Sequence, residues 1–412
     1  MRKLLILILI FTVISVFAKE ITLNYLIEKG LANSLDMKKE NINLKSSEIN
    51  LITSYLTLLP SASVSASKSY YNGEENLISA GFSLGESVSW NDGRYFSIKN
   101  AILNKKNSEL NFHQNKRNFI YNIFSKYISI LKAQKNLEIL KDNIKIQRRV
   151  VAQTKMKFEG GLVDKLSYDR AKLSLLSMEL DIKKAESNLD NLRYELFTYV
   201  GIEDSGEKLK DIDISFEKDF NNIEVKENNS IKINKNNFKM AKMSLLQQKL
   251  SLFPSLSVNF SYNYSSSYPY DFLRFDKYEE SHSIGINFSY GIFDIPSKQL
   301  DYSLAKRKFH LTKLQLDKDI KDYKNTVKHL INDLKQFQET LKIEKEKLDL
   351  SEKNYLIAKE KYKAGLLSLL EYDNNKIDFI RAKLDYNNSY YDYLMKIAYL
   401  DMTLSKKIFG KW

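Results

Sequence analysis

The chain contains no cysteine, which excludes a disulfide scaffold, an iron–sulfur cluster, thiol catalysis and an N-terminal lipid carried on Cys. Four histidines, His113, His282, His310 and His329, are scattered without metal-ligand spacing. No Ser, His and acid grouping and no nucleotide-binding loop stands out, so neither an enzyme nor a cofactor is expected. Four prolines, Pro60, Pro254, Pro269 and Pro296, leave 61–253 and 297–412 free of helix breakers. Beyond residue 18 no apolar run is long enough for a transmembrane helix. Lys+Arg 64 against Asp+Glu 51 give +13 at pH 7, yet the lysines alternate with glutamates, which argues against a nucleic-acid partner. What is present, 22 Phe and 26 Tyr within 43% hydrophobic residues over 412, supports a large folded structure rather than disorder.

Arg2 and Lys3 precede the apolar run Leu4 to Phe17, and Val16-Phe17-Ala18 offers small residues at a cleavage site after Ala18. Residues 1–18 therefore read as an export signal. The remainder reads as two copies of one plan. LLPSASVSASKSY begins at Leu58 and LFPSLSVNFSYNY at Leu252, each with proline ending a helical pattern and a strand-like run following. KMKFEGGLVDKLSYDRAKL from Lys155 answers KEKYKAGLLSLLEYDNNKI from Lys359. The expected division is 19–200 for the first repeat, 201–222 for a linker holding Leu209, Ile212, Ile214 and Phe216, and 223–412 for the second repeat.

Beside the prolines lie runs of strict alternation. Ile78, Ala80, Phe82, Leu84, Val88 and Trp90 share one face against serines and glycines, with Glu86 the only interruption. Ala62, Val64 and Ala66 precede them across a turn containing Gly73. In the second copy Leu256, Val258, Phe260, Tyr262 and Tyr264 alternate with Ser and Asn, and Ile284, Ile286, Phe288, Tyr290 and Ile292 alternate with Gly, Asn and Ser. Hairpins are predicted over 61–90 and 255–292. Their apolar faces, with Trp90, Tyr264, Tyr268, Tyr270 and Phe272 near strand ends, suit lipid outside and water inside. Four strands cannot close a membrane barrel, and open edges in hydrocarbon leave backbone groups unpaired, so several chains must share one wall.

Ile320, Val327, Leu334, Leu341, Leu348, Tyr355 and Tyr362 recur every seven residues, with Tyr323, Leu330, Phe337 and Ala358 three positions on. Ile123, Ile130, Leu137, Ile144, Val151 and Phe158 repeat the device, flanked by Ala133 and Leu140. Helices over 95–159 and 298–363 would each extend about 100 Å at ~1.5 Å per residue. Gly161 and Gly365 interrupt the pattern as hairpin tips near 160–162 and 364–366, where a tight reversal needs positive φ. The seams are expected to resume through Leu166, Leu173 and Leu180 and through Leu370, Ile377, Leu384 and Tyr391. Further helices are expected over Leu23–Leu59 and Val225–Phe253.

This order of helix, Leu-Pro-Ser or Phe-Pro-Ser, hairpin, long helix and Gly-Leu tip, occurring twice, resembles the outer-membrane efflux protein family, the TolC-like channels. The tip residues Gly161, Leu166, Tyr168 and Ala171 fit the family pattern, as do Gly365, Leu370 and Tyr372, while Asn375 replaces the second Ala. The resemblance implies an α+β fold: an outer-membrane β-barrel completed by a homotrimer with four strands per chain, continued by an antiparallel coiled-coil tunnel through the periplasm. It also implies docking of Gly161-Leu162 and Gly365-Leu366 to a periplasmic adaptor, coupled to an inner-membrane pump or ABC transporter. With no N-terminal Cys, anchoring would rest on the barrel alone.

The expected function is a passive exit duct of an efflux pump or type I secretion system, moving solutes or polypeptides. The lipid-facing candidates are Phe82, Leu84, Val88, Trp90, Val258, Phe260, Tyr262, Ile286, Phe288 and Tyr290. Asp164, Asp169, Glu371 and Asp373 cluster after the tip glycines, where inward carboxylates from several chains would concentrate cations at an aperture. The rival reading is a periplasmic coiled-coil adaptor or structural protein that never enters lipid.

Overall fold

The computed structural model describes residues 20–69, 77–212, 220, 223–268 and 277–411. The export signal, the Gly73 turn, Ile214 and Phe216, and the aromatics Tyr270 and Phe272 lie outside them, as do the side chains of Ile78 and Tyr268. Two compact units form, and each takes segments from both sequence repeats: one from 39–115 and 225–326, the other from 20–38, 116–224 and 327–411. Among the described residues no helix is long and apolar enough to cross a membrane.

The first unit is built on an antiparallel sheet of β1 (Ser61–Ser69), β2 (Leu77–Ser89), β3 (Ser255–Tyr268) and β4 (Glu279–Ser289), in that spatial order. The period-2 pattern sets its register. Val64, Phe82 and Tyr264 stand opposite one another, as do Val88, Val258 and Ile286, so apolar side chains collect on one face. The other face is a ladder of small polar groups. Ser63 and Ser83 are 2.7 Å apart, Ser255 and Ser289 2.7 Å, Ser261 and Ser283 2.8 Å, and Ser87 donates to Asn259 at 2.6 Å. β4 stops before Tyr290 and Ile292, which the alternation placed on the strand, because Ser289 already faces the first residue of β3, Ser255. A 3-10 turn at Ile292–Asp294 follows.

α1 (Leu23–Asn33) and α2 (Leu35–Leu56) replace the single first helix expected from sequence, divided at Ser34, whose ψ of 131° is not helical. α3 (Gly93–Glu159) has 67 residues and α6 (Ile295–Lys363) has 69, close to the spans read from the heptads. α4 (Lys165–Val200), α5 (Asn229–Leu250) and α7 (Leu369–Thr403) complete the set.

In the second unit the heptad residues form the core. Ile123 and Ile130 of α3 and Val327 and Leu334 of α6 are fully buried, and the remaining seam residues of both helices are buried or half-buried. Asparagines pin the register within this apolar packing. Asn387 donates to Asn136 Oδ1 at 2.7 Å, and Asn136 donates to Asn388 Oδ1 at 3.1 Å. The continuation predicted along α4 is corrected: Leu166, Leu173 and Leu180 are exposed, and the buried residue of that stretch is Ala171. The side chain of Ala171 is small enough for close helix approach, and the larger leucines fall on the opposite stripe. In α7, Leu370 and Ile377 are exposed while Leu384 and Tyr391 are buried or half-buried. Leu209 of the linker is buried and pairs with Ile21 in a parallel bridge, over which the Tyr127 hydroxyl donates, 3.0 Å from Ile21 O and 2.5 Å from Lys210 O.

Candidate channel wall and helical tips

The apolar face of the sheet is not a core. Val64, Phe82, Val88, Val258 and Phe260 are exposed, Leu84 and Tyr262 are half-buried, and Ile286 and Phe288 keep 76% and 68% of their surface open. A contiguous exposed apolar patch of this kind marks an interaction surface. Its ends carry aromatics. Trp90, just past β2, meets Phe253 edge-on at 6.2 Å and donates from Nε1 to Pro254 O at 3.0 Å, and Tyr290 lies just past β4. At the far end Tyr264 stacks on Tyr278 at 5.1 Å. From Phe253 to Tyr264 the strand rises about 26 Å at ~3.3 Å per residue and ~45° tilt, the height of an outer-membrane apolar band.

Glu86, an acid amid the apolar residues of β2 on that face, is neutralised by a residue that sequence reasoning missed. Arg94 Nη1 donates to Glu86 Oε1 at 2.6 Å and Nε donates to Asp92 at 2.5 Å, while Nη2 reaches Ser87 O. The clue was the anomaly itself, since an isolated acid within an apolar run requires a cation.

Among the described residues both edges of the sheet are unpaired, β1 on one side and β4 on the other. The helix leading into β1 and the helix leaving β4 each carry an exposed apolar stripe: Ile42, Ile49, Ile52 and Leu56 on α2, and Leu300, Leu304, Leu311 and Leu314 on α6. Their spacings of three, four and seven place each set on one helical face.

At the tips of the second unit, α3 and α6 end alike. Gly161 has φ +70° and Gly365 φ +77°, each with open space where a Cβ would sit. The Leu162 N–H donates to Lys157 O at 2.8 Å and the Gly161 N–H to Phe158 O at 3.0 Å; Leu366 and Gly365 repeat this to Lys361 at 2.9 Å and Tyr362 at 3.1 Å. The left-handed glycine closes the last turn and turns the following leucine outward. Leu162 and Leu366 are accordingly 78% and 77% exposed, with Leu166 and Leu370 also open. Across each tip an aromatic pair locks the hairpin: Phe158 on Tyr168 at 5.8 Å and Tyr362 on Tyr372 at 5.0 Å. Lys157 Nζ lies 4.9 Å from the Tyr362 ring centroid, joining the two tips.

The four tip acids have unlike roles. Asp164 caps α4, accepting from Ser167 N at 3.0 Å, and these hydrogen bonds hold its carboxyl below the usual range. Glu371 forms a capping box with Ser368 at the start of α7, and its carboxyl is likewise held low by Ser368. Asp169 is half-buried. One carboxylate oxygen of Asp373 has no hydrogen-bond partner among the described residues, and burial pushes its carboxyl up against the pull of Lys376. Lys376, 1% exposed, donates to Gln147 Oε1 at 2.7 Å, and Gln147 Nε2 donates to Ala171 O at 3.2 Å. Burial pushes the Lys376 ammonium down to about 8. Asn375, the departure from the tip pattern, is half-buried and donates to Glu371 O at 2.8 Å, one turn back on its own helix.

A family model described as outer membrane efflux protein matches residues 26–202 and 228–403. The chain belongs to that family. The two matched stretches carry the two hairpins and the two tips, and an outer membrane efflux protein is a transport conduit of the outer membrane, not an enzyme. Solved structures share the fold at low identity. The CmeC outer membrane channel of Campylobacter jejuni is 21% identical with a TM-score of 0.77, covering 93% of this chain and 85% of that one. CusC, in a structure reporting conformational changes on folding and transmembrane channel formation, is 13% identical with a TM-score of 0.83, covering 93% and 92%. The open state of the Neisseria gonorrhoeae MtrE outer membrane channel is 13% identical with a TM-score of 0.78, covering 93% and 89%. No curated protein matches in sequence.

Proposed function

We propose that three copies of the chain close a twelve-stranded barrel and form the exit duct of a tripartite efflux pump or type I secretion system. Phe82, Leu84, Val88, Trp90, Val258, Phe260, Tyr262, Ile286, Phe288 and Tyr290 then face or border lipid, and the serine and asparagine ladder faces the water-filled bore. One observation carries this reading: a sheet with two open edges and an exposed apolar face, flanked on both edges by helices with exposed apolar stripes. Joining β4 and α6 of one copy to β1 and α2 of the next pairs the edges and covers the stripes in a single contact. Repetition around a ring closes the wall. A periplasmic adaptor without a membrane section has no use for such a face.

The exposed Leu162 and Leu366 are the docking points for an adaptor, which connects the duct to an inner-membrane pump or ABC transporter that supplies the energy. Asp164 and Glu371 are engaged in helix capping, so the aperture acids are Asp169 and Asp373. The absence of native cysteine makes the test clean. Val64→Cys and Ile284→Cys, placed singly on the two edge strands and joined by a bifunctional thiol reagent in a mixed population, should yield linked chains in outer-membrane fractions, together with a heat-sensitive trimer. Recovery of a soluble periplasmic monomer would overturn the reading. Thiol cross-linking from Leu162→Cys and Leu366→Cys names the adaptor.

A further inference from the structure

The helices below the sheet carry two grooves of opposite character. One is lined by small polar groups, among them Ser47, Asn50, Ser54, Ser97 and Asn104. The other, of about 640 Å³, has a floor of Ile102, Leu103, Met243 and Leu246. Its rim is formed by Lys99, Lys239, Lys242 and Lys249. At 100° per residue the α3 residues of the two grooves point roughly 150° apart, so the grooves occupy opposite sides of one helix layer. The polar groove continues the chemistry of the serine ladder. The apolar groove therefore lies on the outer side.

A second copy of the chain does not cover it. The strand order β1-β2-β3-β4 puts α2 and α6 at the edges, and the groove is centred on α5 between them. On α6 only Tyr302 contributes, roughly 160° from the exposed leucine stripe that serves the seam. The rim also lacks counter-charge. None of the four lysines has a carboxylate within ion-pair distance among the described residues; Lys99 alone has a partner, its Nζ 5.6 Å from the Tyr95 ring centroid.

Position selects the occupant. Leu246 lies about 6 Å below the last residue of α5, and the polar headgroup layer of a bilayer is about 5–7 Å deep on each side. The apolar floor thus begins near the periplasmic limit of the headgroup layer, below the aromatic pair Trp90 and Phe253, and continues beyond it along α5 and α3. Lys242 and Lys239 follow about 12 and 17 Å below the end of α5. We propose that this groove binds an anionic phospholipid drawn partly out of the periplasmic leaflet, its acyl chain laid over Leu246, Met243 and Ile102 and its phosphate held by the lysines of the rim. Unpaired ammonium groups attract anionic headgroups, and an apolar floor of this volume accepts one chain. Bound lipid would fix the depth and tilt of the barrel.

This inference rests on the membrane reading above, and the experiment separates the two. The intact protein is reconstituted in phosphatidylcholine nanodiscs, and phosphatidylglycerol with a photoactivatable acyl chain is added. Cross-links mapped by mass spectrometry should concentrate on Ile102, Met243 and Leu246, and Lys239→Gln/Lys242→Gln should weaken that labelling about tenfold or more. A second variant, Leu246→Ser, should reduce it with the lysines intact. Failure of the protein to reconstitute would remove the membrane reading and this inference with it. Normal reconstitution with labelling spread evenly over the strands, or unchanged in the lysine variant, overturns the lipid site alone. Displacement by soluble glycerol phosphate as effective as by unlabelled phosphatidylglycerol would assign the lysines to a free phosphate, and recovery of a polypeptide cross-linked to the groove would assign it to a protein; either overturns the lipid.

Discussion

Replacement of Lys376 by methionine has an effect on stability whose pH dependence can be worked out in advance. The side chain is 1% exposed and is bonded to Gln147, with Asp373 on its own helix as the opposing charge. Desolvation lowers its ammonium from 10.5 to about 8. The unfolded chain keeps its proton up to about 10.5, so between pH 8 and 10.5 the unfolded state binds more protons than the folded one. Stability must rise with pH across that window, and the gain is lost as pH falls through 8. The difference between 10.5 and about 8 corresponds to about 3 kcal/mol at 1.36 kcal/mol per pKa unit. Lys376→Met removes this dependence and adds a constant loss from the unmet Gln147 acceptor, about 1–3 kcal/mol. Chemical unfolding of wild type and variant, followed by circular dichroism in the same detergent, should give a stability difference that shifts by about 3 kcal/mol in favour of wild type from pH 7 to 10.5. Tyr127, Tyr372 and Tyr391, all pushed up by burial, are common to both proteins and largely cancel. A difference that stays level with pH would show that Lys376 is solvated in the folded protein, and the buried network would have to be abandoned.

Phe288→Asp places a charge on the exposed apolar face opposite Leu256, toward the aromatic rim, and should lower the yield of heat-sensitive trimer at a cost of about 1 kcal/mol, read on unheated gels; an unchanged yield would reverse the face assignment. Gly365→Ala should lower the thermal midpoint through about 1–2 kcal/mol of left-handed backbone strain, whereas the open space around the site predicts no steric penalty. Arg94→Gln should impair assembly by leaving Glu86 without its cation, and adding Glu86→Gln should restore assembly; a double variant no better than the single one would deny that the pair acts as a unit. Leu366→Asp should abolish adaptor cross-linking without altering the trimer on gels.

The alternation of apolar and small residues on the strands and the seven-residue recurrence on α3 and α6 were legible because each is imposed by backbone geometry over many consecutive residues. Gly161 and Gly365 were equally readable, since only a left-handed turn explains them there. Pairings across long separations were not. Lys376 and Gln147 are 229 positions apart, and nothing local distinguishes a buried lysine from the solvated lysines around it. Leu166, Leu173 and Leu180 misled because the apolar stripe of α4 is left exposed among the described residues, while the actual contact is made by Ala171, whose small size gives no signal in a hydrophobic count. Asp164 and Glu371 were placed by proximity to the tips, whereas their capping bonds follow from being three residues before Ser167 and after Ser368.

The open edges of the sheet also define the hazardous moment in the life of the molecule. Between export and insertion each newly delivered chain would carry two rows of unsatisfied strand hydrogen-bonding groups and an oily surface through water, the combination that drives amyloid-like stacking. Biogenesis is therefore a race between correct ring closure and indiscriminate pairing, and overproduction of the chain without a holding factor should end in periplasmic aggregates well before transport fails.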